Sequence, residues 1–198
     1  MNFPTFPARP VNGGPLPKAR PKTPGDWYYE PKLNDGRALV NGFTGEMWNR
    51  QGQPLTTSDC FNEARRRLQQ LARDTYIEWW DCLTLERRHD ICKGTIVVLD
   101  WIPTSPTFHP PWYSRKQFIH RHLGEGLIVE FPSLLSCVQT WTQTEAAKAW
   151  DTMQIINRRL GCDFYEGVVA KQADSPYPIQ LRSPDQETPA WIKHRWQF

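Results

Sequence analysis

The sequence feature that most constrains this chain is the run from Tyr28 to Val40, which reads YYEPKLNDGRALV. A short aromatic segment leads to a lysine, and an Asn-Asp-Gly turn follows it. Because this lysine lies between a predicted strand and a turn, its amine can be held rigidly in a cleft. Such an amine becomes a nucleophile when desolvation or nearby cations lower its pKa from about 10.4. Lys32 is therefore a candidate nucleophile, and Arg37 is a candidate for binding a phosphate or a ribose.

A second group of motifs lies near the end of the chain. The sequence EGVVAK at 166–171 is followed by SPY at 175–177, RS at 182–183 and WIKHR at 191–195. Taken alone, the lysine segment also fits an ordinary surface hairpin turn. Taken together and in this order, the segments resemble the nucleotidyltransferase domain of ATP-dependent DNA ligases.

The resemblance implies a role for each matching residue. Lys32 would attack ATP, expel pyrophosphate and become a lysyl-AMP phosphoramidate; the AMP would then pass to a nucleic-acid 5′-phosphate, and a 3′-hydroxyl would seal the strand. Glu166 would help to place Mg²⁺ or Mn²⁺, and Lys171 and Lys193 would reach the α-phosphate, so these three residues join Lys32 as expected catalytic residues. The other expected nucleotide contacts are Glu30 near the adenine, Arg37, Arg50, Asp81 and Arg195.

The match to the family motifs is incomplete at three places. KLNDGR replaces the family's KxDGxR, so Asn34 stands at the acidic position, and Asp35 could supply a carboxylate from a shifted turn. Asp81 stands where the family has an Asp-Gly-Glu strand; it is assigned to the ribose or the metal ion, with a plain aspartate at the core edge as the alternative. Leu99 replaces the aromatic residue that stacks on adenine, and Trp101 is a possible substitute.

Hydrophobic periodicity predicts an α+β chain with mainly antiparallel sheets flanked by helices. The resemblance implies the ligase-like, or ATP-grasp-like, nucleotidyltransferase fold, with a nucleotide cleft between the sheets. Ser58, Ser114 and Thr142 are predicted to open helices, and Gly161 to end the last one. The predicted elements are a hairpin over 38–49, helices over 59–73, 114–123 and 142–160, and strands over 76–85, 95–101, 127–130, 167–171 and 190–196.

Composition predicts the organisation of the chain. Residues 1–26 are rich in proline, glycine and lysine, which predicts an extended arm that lies on the domain or is partly disordered, and residues 27–198 are expected to form the nucleotidyltransferase domain. Ligases of this family continue into an OB-fold domain after the last basic strand, and no such domain is expected here. A minimal enzyme, a fragment, and an enzyme whose partner protein supplies the OB-fold are the alternatives.

Charge and cysteine content limit the class of protein. The net charge of +3 and the pI near 8.6 permit nucleic-acid binding, and Arg115 and Arg182 are expected to make nucleic-acid contacts. The five cysteines form no CxxC pair and no leader segment is evident, which predicts a reduced, cytoplasmic protein without structural zinc. No apolar run has the length needed to cross a bilayer. We expect a monomer.

The function expected from these observations is that of an ATP- and Mg²⁺-dependent DNA ligase that seals nicks in double-stranded DNA, as in replication and repair. An RNA ligase of the same superfamily is the first alternative. A non-catalytic module that binds nucleotides or nucleic-acid ends is the second, and the departures at Asn34, Asp81 and Leu99 favour it. The sequence offers no base-reading code that would distinguish DNA from RNA, because phosphate contacts look alike on both.

Overall fold

The structure is a computed structural model that describes residues 5–16, 24–86, 90–105, 107–124, 126–127, 133–179 and 183–196. Its helices are α1 (Asn62–Thr75), α2 (Trp112–Leu123) and α3 (Gln143–Leu160). Its strands are β1 (Arg9–Asn12), β2 (Trp27–Leu33), β3 (Gly36–Asn41), β4 (Met47–Asn49), β5 (Trp79–Leu85), β6 (Thr95–Ile102), β7 (Leu135–Cys137), β8 (Tyr165–Gln172) and β9 (Glu187–Arg195).

The strands form two sheets. The first has the order β1-β9-β8-β2, and the second has the order β4-β3-β5-β6-β7. All neighbouring strands are antiparallel except β1 with β9 and β6 with β7, which are parallel. The predicted α+β fold of mainly antiparallel sheets flanked by helices is therefore confirmed.

Strand alternation divides the side chains between the cores and a cleft. Val168 and Ala170 of β8 pack with Trp150 of α3 in one core, while Ala38 of β3 packs with Leu68 of α1 in another. A third core, which includes Ala8, Leu39, Trp79, Tyr177 and Trp191, joins the two sheets at one end. Other strand positions, among them Lys32, Leu99 and Val169, face the space between the sheets. Within the described residues no helix is long and apolar enough to cross a membrane.

Helix α3 begins and ends where the sequence predicts. The hydroxyl of Thr142 accepts a hydrogen bond from the backbone N–H of Glu145, and the Glu145 carboxylate accepts one from the backbone N–H of Thr142, which completes a capping box. Gly161 ends the helix with a left-handed φ of 67°. Both signals act within a few residues, so they could be recognised in the sequence.

The predicted start of α2 at Ser114 is wrong. The helix begins at Trp112, after Pro111, and has no side-chain cap. The backbone N–H groups of Trp112 and Tyr113 instead donate to the carbonyl oxygens of Ser175 and Ala173, at 2.7 and 3.0 Å. A helix N-terminus needs partners for its free N–H groups, and here a distant segment supplies them.

Other boundaries also differ from the predictions. Helix α1 begins at Asn62, after a 3₁₀ turn at Asp59–Phe61, and strand β7 was not predicted. Part of the first 26 residues is ordered into strand β1, which pairs with β9. Of the strand predicted over 127–130, the last three residues lie outside the described part of the chain.

Two ion pairs, each with a buried aspartate, lie side by side in the second sheet. Asp81 and Asp100 are opposite each other on β5 and β6. Asp81 is bound by the guanidinium of Arg37, and Asp100 by that of Arg115, whose Nε and Nη2 lie 2.8 and 3.0 Å from its two oxygens. The hydroxyl of Tyr177 donates to Asp81 at 2.7 Å, which connects the pairs to the segment after β8.

The prediction that Arg115 contacts nucleic acid is wrong. Its side chain is fully buried and is held on both sides by Asp100 and by backbone carbonyl oxygens. A buried guanidinium with these partners cannot reach a phosphate at the surface. Arg182, the other predicted nucleic-acid contact, lies outside the described residues.

Removing the Arg115 side chain should destabilise the fold. Arg115→Ala leaves Asp100 as a buried, unpaired charge, and we expect the free energy of unfolding in urea to fall by about 3–5 kcal/mol. Arg121→Ala, at an exposed position of the same helix, should change it by less than about 0.5 kcal/mol. Equal effects of the two substitutions would contradict this account of the buried pair.

Candidate active site

A cleft of about 470 Å³ lies between the two sheets. Its walls combine residues of β1, β2, β3, β5, β6, β8 and β9 with neighbouring loops. Eight of the predicted site residues meet there, although they are spread over most of the sequence. They are Glu30, Lys32, Arg37, Arg50, Glu166, Lys171, Lys193 and Arg195.

The register of β2, β8 and β9 places several of these side chains on one face. Lys32 is opposite Gly167, and Gly167 is opposite Arg195. Two residues along, Glu30 and Lys193 occupy the same level on either side of β8. Residues that are directly opposite each other in a sheet point to the same side. The cleft face therefore carries a cluster of charges contributed by three adjacent strands.

Glu166 reaches the cleft because β8 is irregular. Regular alternation would point it with Val168 into the core, but the register shifts between Lys32 and Leu33, so Glu166 is an extra residue in its strand. Gly167 makes this possible with a φ of 140°, and a Cβ at that position would collide with the carbonyl oxygen of His194.

The amine of Lys32 is held by Glu166. Its Nζ is in ion-pair and hydrogen-bond contact with Glu166 Oε2, and Arg195 Nη2 lies 3.0 Å from the same oxygen. Burial lowers the pKa of Lys32, the Glu166 carboxylate raises it, and the charges of Arg195 and Lys193 lower it further; the net result is a lowered pKa. A lowered pKa increases the neutral, nucleophilic fraction of the amine.

Glu30 is the centre of a buried charge cluster at the inner end of the cleft. Lys116 Nζ lies 2.6 Å from Glu30 Oε1, and Lys171 Nζ lies 2.7 Å from Glu30 Oε2. Burial raises the pKa of Glu30, but the two ammonium groups outweigh it and the net pKa is lowered. Lys171 also lies 4.2 Å from the centre of the Trp191 ring. The sequence did not reveal the roles of Lys116 and Trp191, because both look like ordinary members of a basic helix and a strand.

Asp81 does not enter the cleft. It is fully buried, and its two oxygens accept hydrogen bonds from Arg37 and Tyr177. Its predicted roles as a metal ligand and ribose contact are therefore corrected, since neither oxygen is accessible; it is a buried aspartate at the core edge. Burial lowers the pKa of Arg37, but the Asp81 carboxylate outweighs this and the net pKa is raised.

Asp35, Leu99 and Trp101 lie at or near the places where the sequence departs from the family motifs, and the structure locates each of them. Asp35 lines the cleft, and its carboxylate accepts backbone N–H groups of Gly36 and Glu86 at 2.7 and 3.0 Å, so it stabilises the turn after Lys32. Leu99 lines the cleft. Trp101 does not; it packs against Phe108 and Phe118 on another side of the sheet.

One further component of the site, the N-terminal segment, was missed in the sequence analysis. Pro7, Arg9 and Pro10 of the N-terminal segment line the cleft, and no local pattern in a proline-rich arm indicates which surface it will cover.

The described residues do not indicate a metal site formed by protein groups alone. The described part of the chain contains no group of three or more His, Cys, Asp or Glu side chains placed to hold a metal ion.

The fold was compared with known proteins. No family model and no curated protein sequence matches the chain. Among solved structures, mycobacterial DNA ligase D complexed with ATP matches with a TM-score of 0.60 and 15% identity, over 98% of this chain and 62% of that one. Chlorella virus DNA ligase-adenylate matches with a TM-score of 0.51 and 14% identity, over 96% of this chain and 69% of that one.

An archaeal ATP-dependent RNA ligase also matches, with a TM-score of 0.54 and 14% identity, over 96% of this chain and 48% of that one. The chain thus spans about half to two thirds of the length of these three proteins. At such identities the likeness shows the fold alone. The chain has the fold of the nucleotidyltransferase domains of ATP-dependent ligases, as the sequence motifs predict.

The lowered pKa of Lys32 can be tested by chemical labelling. Because its amine loses a proton at lower pH, we expect Lys32 to react with an acylating reagent at lower pH than the exposed Lys148, measured by mass spectrometry of labelled peptides. The Glu166 carboxylate raises the pKa of Lys32, so Glu166→Gln should move its midpoint further down. A midpoint for Lys32 at or above that of Lys148 would show that the site does not lower its pKa.

Proposed function

We propose that this chain is the nucleotidyltransferase domain of an ATP-dependent polynucleotide ligase that seals nicks in duplex DNA through a lysyl-AMP intermediate. The observation that carries the proposal is the environment of Lys32. Its amine is held inside a cleft by Glu166, has a lowered pKa, and is flanked by Lys193 and Arg195. A nucleophile among fixed cations is the arrangement that phosphoryl transfer requires.

The first step uses these residues directly. The neutral amine of Lys32 forms a P–N bond to the α-phosphorus of ATP, and the P–O bond to pyrophosphate breaks. Glu166, which already contacts the amine, can accept the proton that the amine loses. Lys193 and Arg195 stabilise the negative charge on the transferred phosphate and on the departing pyrophosphate.

The later steps transfer the nucleotide to nucleic acid. A terminal 5′-phosphate attacks the lysyl-AMP phosphorus, so that the P–N bond breaks and a phosphoanhydride forms. The neighbouring 3′-hydroxyl then attacks that 5′-phosphate, forms the new phosphodiester and releases AMP. Each step exchanges one bond to phosphorus for another and needs no oxidant or reductant.

The cleft residues fit ATP and a divalent ion in different ways. For ATP, the lining offers several arginines and lysines and the apolar side chains of Leu83, Leu99 and Val169. For Mg²⁺ or Mn²⁺, Glu166 is the carboxylate beside the nucleophile, and Mg²⁺ is commonly bound by one or two carboxylates together with substrate phosphates. Such an ion would neutralise phosphate charge when bound.

An RNA ligase is the second candidate. The likeness to the archaeal RNA ligase, at a TM-score of 0.54, falls within the range of 0.51 to 0.60 for the two DNA ligases. The cations of the cleft suit phosphates of either polymer. We favour DNA because the ordered motifs of the sequence resemble DNA ligases most.

The five cysteines are free thiols, which is compatible with a protein that acts in a reducing compartment such as the cytoplasm.

Nucleotidyl transfer should be visible by intact-mass spectrometry. We expect the protein to gain one AMP on incubation with ATP and Mg²⁺ and to lose it on addition of pyrophosphate. Lys32→Ala should abolish the gain, because no other amine occupies its position, whereas Lys148→Ala should retain it. An adduct on Lys32→Ala would place the nucleophile elsewhere. No adduct on the wild-type protein with any nucleotide would favour a non-catalytic binding module.

The polymer can be identified with matched nicked duplexes. We expect faster sealing of a 5′-phosphorylated nick between DNA strands than of the same nick between RNA strands, measured by gel electrophoresis at fixed salt concentration. Salt must be fixed because phosphate contacts weaken steeply as it rises. Faster sealing of RNA would establish the second candidate instead.

A further inference from the structure

The N-terminal segment forms a wall of the cleft. Strand β1 pairs with β9, and the backbone N–H of Gly13 donates to the carbonyl oxygen of Lys193 at 3.0 Å. On the other side, the carbonyl oxygen of Ala8 accepts a hydrogen bond from Arg37 of the second sheet. The segment is thus attached to both sheets, and Arg9 projects from it into the lining of the cleft.

Arg9 differs from the deeper cations in the strength of its ion pairs. Lys171 and Arg37 are paired with Glu30 and Asp81, two fully buried carboxylates. Arg9 instead has Nη1 2.6 Å from Asp185 and Nε 3.9 Å from Glu187, and these two acidic side chains are 73% and 40% exposed. Ion pairs with exposed carboxylates are worth little, so a polyphosphate can displace them.

The position of Arg9 is next to the cations that the α-phosphate would contact. Arg9 Nε and Lys193 Nζ each lie 3.9 Å from Glu187 Oε1. Burial and the positive charges of Arg9 and then Arg195 lower the pKa of Lys193, while the carboxylates of Glu187 and Glu166 raise it, and the net pKa is lowered. The three cations therefore repel one another although two carboxylates lie nearby. An anion placed among them relieves this repulsion. A guanidinium also offers a planar pair of donors that suits a phosphate.

We propose that Arg9 binds the β- and γ-phosphates of ATP and holds the pyrophosphate as it leaves. This inference rests on the proposed function, because it places the α-phosphate at Lys32. From there the chain of phosphates can pass Lys193 and reach Arg9 at the wall formed by β1. Asp185 and Glu187 keep the guanidinium at the cleft when no nucleotide is bound. The N-terminal segment thereby becomes part of the substrate site.

The test compares ligands with and without the outer phosphates. Isothermal titration calorimetry would measure binding of α,β-methylene-ATP, which cannot transfer AMP, and of AMP. Arg9→Ala should weaken binding of α,β-methylene-ATP about tenfold, the expected effect of losing a charge-assisted contact, and leave AMP binding unchanged. Arg9→Lys should recover part of the loss, because it keeps the charge without the planar pair of donors.

Arg73→Ala, an exposed arginine of α1 remote from the cleft lining, is the matched control and should change neither affinity. Equal weakening of both ligands in Arg9→Ala would mean that Arg9 only supports the wall, and no weakening of either would exclude a contact; both results overturn the inference. The assay does not depend on AMP transfer. A protein that forms no lysyl-AMP but shows the selective loss would overturn the proposed function and support the polyphosphate contact.

Discussion

The cleft depends on the buried pairing of Arg37 with Asp81 and of Arg115 with Asp100. Both pairs contact the segment that follows β8, a strand of the first sheet. Tyr177 of that segment donates a hydrogen bond to Asp81, and the carbonyl oxygen of Ser175 accepts one from Arg115. Three of these four charged groups are buried and Arg37 is partly exposed at the cleft, and burying charges is tolerated only while each of them keeps its partner. The network therefore fixes how the sheets meet, and with it the distance between the cleft walls.

Opposing effects determine the pKa of Lys32. Burial and neighbouring cations favour the neutral amine, while the Glu166 carboxylate favours the charged one. If the carboxylate were absent the amine would lose its positioning contact, and if it dominated the amine would stay protonated. The bulge at Glu166 and Gly167 sets this balance, since it moves a carboxylate from the core face of β8 to the cleft face.

The charged groups of the cleft form two layers. The inner layer consists of cations locked to buried carboxylates, as at Glu30, and it gives the cleft its shape and electrostatic potential. The outer layer, which includes Arg9 at the edge of the first sheet, is paired with exposed acids and can exchange these partners for a ligand. In the proposed mechanism the inner layer provides rigidity and the outer layer provides binding capacity.

The sequence by itself determined the features that depend on neighbours in the chain or on a linear motif. The Thr142 capping box and the Gly161 helix end each act over a few residues, and the ordered motifs indicated which lysines and carboxylates would share a site. Tertiary structure decided the rest. It buried Arg115 and Lys116, supplied the start of α2 from Ser175 and Ala173, withdrew Asp81 from the cleft, turned Glu166 into it, and brought Arg9 to its wall. Each of these outcomes is a contact or a register between segments far apart in sequence, and local patterns carry no information about which distant partner a charged side chain will meet.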